Sequence, residues 1–117
     1  MTLHNDGGSA RNIVRDLDAA LTEAEWVSEI MVYAHAHHWF AAHFRPARTD
    51  KGYRTALSGD VGVPDIICAR GGRVVLIECK AQGKKGTTTA YQRAWLEASG
   101  GWLFEPGDRA TMEEVLR

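Results

Sequence analysis

Asp65, Glu78 and Lys80 stand in sequence that is otherwise apolar. The stretch GVPDIICARGGRVVLIECKAQ, residues 62–82, reads as two short strands around Gly71-Gly72, and charged side chains are normally kept out of such runs. If the two glycines form a two-residue hairpin turn, Arg70 pairs with Arg73 and Asp65 falls opposite Glu78. Directly opposed residues share a face of the sheet, and so does Lys80, two residues beyond Glu78. Cys68 then faces Val75 and Cys79 faces Pro64, so the two thiols are not partners. A different turn would shift this register. Two facing carboxylates repel, and burial raises the cost. A hard divalent cation such as Mg²⁺ or Mn²⁺ removes the conflict. Bound there, it could activate water and offset charge on a phosphoryl group, with the lysine orienting the water. An Asp–Lys–Glu surface network at a strand end would use the same three residues.

The elements that must position this group can be read outward from it. Residues 1–20 read as an N-terminal tail, disordered over 1–10, or a short helix carrying Ile13, Val14, Leu17 and Leu21. Residues 21–117 read as a single domain. A helix begins near Thr22, where Thr22 and Glu25 match a capping box and Trp26, Val27, Ile30, Met31 and Ala34 recur at helical spacing. Glu23 lies on that apolar face, whereas Glu25 belongs to the cap. Trp39–Arg45 reads as a strand and residues 46–61 as a long polar loop, a length that in a compact domain is usually functional or disordered. After the two central strands comes a glycine-rich basic segment, GKKGTTT. Thr88 or Thr89 can cap a further helix with Tyr91, Trp95 and Ala98 as its stripe, ended by Gly100 and Gly101. Trp102–Phe104 reads as a strand, Pro106-Gly107-Asp108 as a turn, and Thr111–Arg117 as a last helical segment with a Thr111/Glu114 capping box. Trp26, Trp95 and Trp102 are expected in the core. The order helix, three strands, helix, strand, helix predicts an α/β domain with a mixed central sheet.

The 117 residues suffice for one domain with a real core. No apolar run approaches the roughly 18–20 residues of a membrane span, and the N-terminus lacks the apolar centre of a signal peptide. The expected location is the cytoplasm, with Cys68 and Cys79 as reduced core residues. Net charge is −1, but residues 41–95 carry ten basic and four acidic groups. This basic island suits a phosphate-rich partner, or is a solvated loop region.

More than three residues line up with a known pattern. Pro64-Asp65 followed by Glu78-Cys79-Lys80 is the PD-(D/E)xK nuclease signature. Gly62 makes the first part GxPD, and Thr89-Ala90-Tyr91-Gln92 matches a following (S/T)xxQ helix, with Trp95-Leu96 and a glycine after it. Upstream, LTEAEW, Trp39 and His43 add to the likeness. Over about residues 21–117 the chain resembles the VRR-NUC branch of that superfamily, in its small stand-alone phage and bacterial form.

The resemblance implies a restriction-endonuclease-like core, a mixed sheet flanked by helices in the order αβββαβ. It implies a Mg²⁺- or Mn²⁺-dependent DNA endonuclease, resembling Holliday-junction resolvases and acting as a homodimer in a bacterial cell or encoded by a phage. Carried onto this sequence, Asp65, Glu78 and the backbone carbonyl of Cys79 would hold the metal, with Glu23 as a further ligand. Lys80 would position the attacking water, and Gln92 would hold Lys80 or the scissile phosphate. The chain departs from many relatives in carrying His38-Trp39 instead of Gly-Trp, and in the length of its 46–61 loop.

DNA contacts are expected from His43, Arg45, Arg48, Lys51 and Arg54, and from Lys84, Lys85 and Thr89 at a helix N-terminus. GKKGTTT is not a P-loop, because GxxxxGK[ST] is absent. His35 and His38, at i and i+3 of a helix, could share a zinc ion, but no third ligand stands near. The readings left open are an endonuclease of branched DNA, a nicking or flap-cutting nuclease, and a non-catalytic DNA-binding module with the same fold.

Overall fold

The computed structural model describes residues 6–44, 47–50, 52–54 and 58–117. Among these described residues four α-helices occur in chain order: α1 (Asp6–Ala20), α2 (Glu23–Ala36), α3 (Ala90–Ser99) and α4 (Arg109–Leu116). The strands are β1 (Phe40–His43), β2 (Ala47–Thr49), β3 (Gly52–Arg54), β4 (Ile66–Arg70), β5 (Arg73–Cys79) and β6 (Trp102–Phe104). The protein is therefore α/β. A mixed four-stranded sheet has the order β1-β4-β5-β6, antiparallel except for β6, which runs parallel to β5. The parallel pair is joined through α3, the crossover that such pairing needs.

The central hairpin has the register its glycines dictate. Gly71 and Gly72 both take positive φ, 58° and 79°, which a two-residue turn of the favoured twist requires. Arg70 pairs with Arg73, Cys68 with Val75 and Ile66 with Ile77. Side chains alternate across a strand. Ile66, Cys68, Val75, Ile77 and Cys79 face the core, while Glu78 points to the opposite face. On the core side, Trp26, Ile30 and Ala34 of α2 and Met112, Val115 and Leu116 of α4 close over the sheet with Phe104. Two indole N–H groups buried there are satisfied: Trp26 donates to the Phe104 carbonyl at 3.0 Å and Trp39 to that of Leu116 at 2.8 Å.

Several sequence expectations change. Residues 6–10, expected to be disordered, are the first turns of α1. The 46–61 stretch is not a plain loop: β2 and β3 pair within it as a separate two-stranded sheet. Helix α2 ends at Ala36, with His37 as its C-cap and His38 at φ 66°, so the i, i+3 helical geometry required for a shared zinc is lost. His35 and His37 instead meet the carbonyls of Ala41 and Tyr33. Helix α4 starts at Arg109, before Thr111, and the box ahead of it links Glu105 and Asp108. No α3 residue is buried; Trp95 is half-buried and Trp102 is 37% exposed, so neither is core.

Candidate active site

Asp65 sits just ahead of β4, where its backbone carbonyl accepts from Phe44 N–H at 2.9 Å. One side-chain oxygen accepts the Cys79 N–H at 2.8 Å. That bond crosses from the end of one strand of the hairpin to the end of the other, so the turn at Gly71-Gly72 indirectly aims this carboxylate. Glu78 and Lys80 follow on β5 and just past it, 2% and 8% exposed. Their charges lie 3.7 Å apart.

Gln92 completes the group, and the start of α3 decides how. Thr89 is the N-cap: its hydroxyl accepts from Gln92 N–H, and Gln92 Oε1 accepts from Thr89 N–H at 2.9 Å. The same Oε1 accepts from Lys80 Nζ at 3.3 Å, while Nε2 donates to Glu78 Oε2 at 2.9 Å. The amide has one usable orientation. Turned over, its NH₂ would face two donors and its oxygen a carboxylate. A capping box, normally a local device, here fastens a helix to both charged residues of β5.

The electrostatics leave one need unmet. With both carboxylates ionised, Glu78 Oε1 is buried with no hydrogen-bond donor, and buried polar atoms seldom go without a partner. Burial, then the charge of Asp65, pushes the Glu78 pKa up, against the pull of Lys80. Asp65 is also raised, chiefly by burial, with the Cys79 N–H, a side-chain hydrogen bond from the protonated Glu78 carboxyl and the charges of Lys80 and His43 opposing; the same bond helps to raise Glu78. Glu23, at the start of α2, is raised by partial burial and by Asp65, so it belongs to the same field although its side chain reaches solvent. Among the described residues there is no ready-made cage of three or more His, Cys, Asp or Glu side chains. A buried, unpartnered carboxylate oxygen beside a second carboxylate nonetheless suits a hard divalent cation, which takes oxygen donors and retains waters. The Cys79 thiol is excluded as a ligand: it is fully buried in the core, and burial drives its pKa far upward.

The remaining predicted contacts divide. His43, at the end of β1, lies within electrostatic reach of Asp65. Thr89 and Lys84 are exposed on the rim leading to α3. Lys85 is paired with Asp108 at 2.6 Å, an engagement that sequence reasoning missed because the partner lies beyond the next helix and strand. Arg48 and Arg54 fall on the β2–β3 hairpin, while Arg45 and Lys51 lie outside the described residues.

Gly62 was legible as part of a motif but not as a spacer. Its φ is +91°, and a Cβ there would come within 2.7 Å of the Tyr91 carbonyl carbon and 2.9 Å of Gln92 N. The loop ahead of Asp65 thus lies directly on the first turn of α3, locking the positions of Asp65 and Gln92 together. Compared with family models, curated proteins and solved structures, the chain matches none. Among the described residues no helix is long and apolar enough to cross a membrane.

Proposed function

We propose that the protein is a divalent-metal-dependent DNA endonuclease with a PD-(D/E)xK core of the VRR-NUC type, acting on branched DNA as a homodimer. The observation that carries this reading is Glu78. One of its oxygens is held by Gln92 and Lys80, and the other, once both carboxyls are ionised, is buried without a donor beside Asp65, so the pair needs either a shared proton or a cation.

Asp65 and Glu78 would hold Mg²⁺ or Mn²⁺, with the Cys79 carbonyl and Glu23 available to add oxygen donors. The ion, when bound, supplies Lewis-acid polarisation of a phosphoryl oxygen and a more acidic water. The chain's own part is positioning. Gln92 restrains the Lys80 ammonium through Oε1, so the lysine can orient a water towards phosphorus and offset the negative charge that grows on the phosphoryl oxygens. Because Gln92 is itself held by the helix cap, little reorganisation is needed during the reaction.

The test is cleavage of a labelled immobile four-way junction beside a linear duplex, in Mg²⁺ or Mn²⁺, with Asp65→Ala and a chelator in parallel. Paired, symmetric cuts that vanish in both controls are expected. Absence of cutting on junction, flap and duplex by folded, metal-supplied protein would overturn the nuclease reading.

A further inference from the structure

Helix α3 leaves one face open to solvent. Tyr91, Ala94, Trp95 and Ala98 recur at i, i+3, i+4 and i+7, a stripe that would normally be buried. Here they line a groove of about 330 Å³ closed on the other side by Asp60 and Val61. Tyr91 is 66% exposed. The two alanines leave space between the aromatic rings, and Trp95 has already committed its N–H to the Asp60 carbonyl at 3.3 Å. What the tryptophan still offers is its ring.

Both walls of the groove lead to the candidate active site. Tyr91 directly precedes Gln92, which bonds Lys80 and Glu78. Val61 directly precedes Gly62, which rests on the backbone of Tyr91 and Gln92 and continues through Pro64 to Asp65. The volume lies at the small end of the range for small-molecule sites, about 300–1,000 Å³. That suits one or two planar groups better than a docked helix. Asp60, which lines this wall, brings a negative charge that would repel a phosphate but can accept from an exocyclic amine or ring N–H.

We propose that this groove receives an unpaired nucleobase of the strand whose phosphate lies at Asp65, Glu78 and Lys80, stacked against Tyr91 and Trp95 with its polar edge towards Asp60. The inference rests on the nuclease reading for the neighbouring phosphate and deepens it: the substrate would have a nucleotide freed from pairing close to the cut. A base in a duplex cannot present its flat face to a side chain, whereas an unpaired one can, and base–aromatic stacking accepts any base.

The experiment titrates the full chain, in Ca²⁺ to hold back cleavage, into single-stranded oligonucleotides. Each carries one 2-aminopurine, whose emission is quenched by stacking, with its position varied along the strand. Matched oligonucleotides carry an abasic site instead. At one position the wild type should quench the analogue, and the abasic site there should weaken binding about tenfold. Tyr91→Ala should lose the quenching and bind the intact strand about tenfold more weakly, with no further loss on the abasic strand. Tyr91→Phe should behave as wild type. Equal loss on intact and abasic strands, absence of quenching at every position, or a solution dimer dissolved by Tyr91→Ala with oligonucleotide binding unchanged would each overturn the proposal. Cleavage in Mg²⁺, read alongside, separates the two readings. Tyr91-dependent stacking without cleavage would sink the nuclease reading alone. Cleavage indifferent to Tyr91 and to the abasic site would sink the groove alone.

Discussion

Glu78 is the residue on which stability and proposed activity pull in opposite directions. Its pKa in the folded chain is raised above the ordinary 4.5, first by burial and then by Asp65. A raised pKa means that the fold favours the protonated form. Without metal, that contribution is complete below pH 4.5 and is lost as pH rises through the folded value. Urea unfolding in a chelator should therefore show stability falling as pH climbs above 4.5, and Glu78→Gln should flatten that fall. The Glu25 cap has the opposite sign, since the Thr22 hydrogen bonds lower its pKa; its contribution is lost only as pH falls below 4.5 and does not mask the effect. Added Mg²⁺ should raise the melting temperature more at pH 8 than at pH 5, because it favours the ionised pair. A pH-independent metal response would count against binding at these carboxylates. Lys80→Ala should lower kcat by about 10²–10³-fold, the scale for removing one preorganised stabilising group, with a smaller change in KM.

At the scale of elements, the start of α3 joins folding to the site. Thr89→Ala removes the N-cap hydroxyl, which should cost about 1 kcal/mol of stability. It should also lower activity, because the hydroxyl holds the backbone N–H of Gln92 and with it the first turn from which the Gln92 side chain reaches Lys80 and Glu78. Thr89→Ser keeps the hydroxyl and should restore both; rescue of stability but not activity would show that Thr89 acts elsewhere than through the cap. Gly62→Ala meets two obstacles, a φ of +91° and a Cβ 2.7 Å from the Tyr91 carbonyl carbon. It should lower the melting temperature and depress kcat by displacing Asp65 from Gln92. Wild-type kinetics in Gly62→Ala would mean that the contact between the loop and α3 does not set the site.

For the whole molecule, Arg109 ties distant parts of the chain. It pairs with Asp18 of α1 at 3.0 Å and with Glu29 of α2, and its guanidinium lies over Trp26. Asp18 is buried, so Arg109→Ala leaves an unpaired carboxylate there and should speed hydrogen exchange in α1 before it affects the sheet. Unchanged exchange in α1 would show that its attachment comes from elsewhere. Charge at long range gives a separate test. About five phosphate contacts from the basic island would give a log–log salt slope on the order of −4. Lys84→Ala should reduce that slope by roughly 0.9. Lys85→Ala should reduce it less, since Asp108 already holds that charge. Equal effects would mean that the Lys85–Asp108 pair opens on binding.

Much of the fold was legible because its cues are local. A Gly-Gly turn sets a hairpin register within a few residues, and that register alone places Asp65 opposite Glu78. Thr22 with Glu25, and Thr89 ahead of α3, are caps closed by bonds between residues three apart. Where a local cue competed with a distant one, the reading failed. The Tyr91–Trp95–Ala98 spacing promised a buried stripe, but amphipathic spacing gives no sign of whether anything covers the face. The basic Lys85 looked available because Asp108 lies beyond α3 and β6. The 46–61 stretch looked like a loop because β2 and β3 have only three residues each.

The sequence by itself determined the register of the central hairpin, the cap of α2, the cap of α3 as either Thr88 or Thr89, and the identity of the charges that meet at one end of the sheet. Each depends on dihedral preference, side-chain alternation or hydrogen bonds spanning a few residues. Only the tertiary structure decided that Gln92 bridges Lys80 and Glu78, that one oxygen of the ionised Glu78 is buried without a donor, that Gly62 rests on α3, and that the aromatic face of α3 stays open. Those outcomes depend on where a crossover helix lands on a sheet, and that is set by packing between residues far apart in the chain.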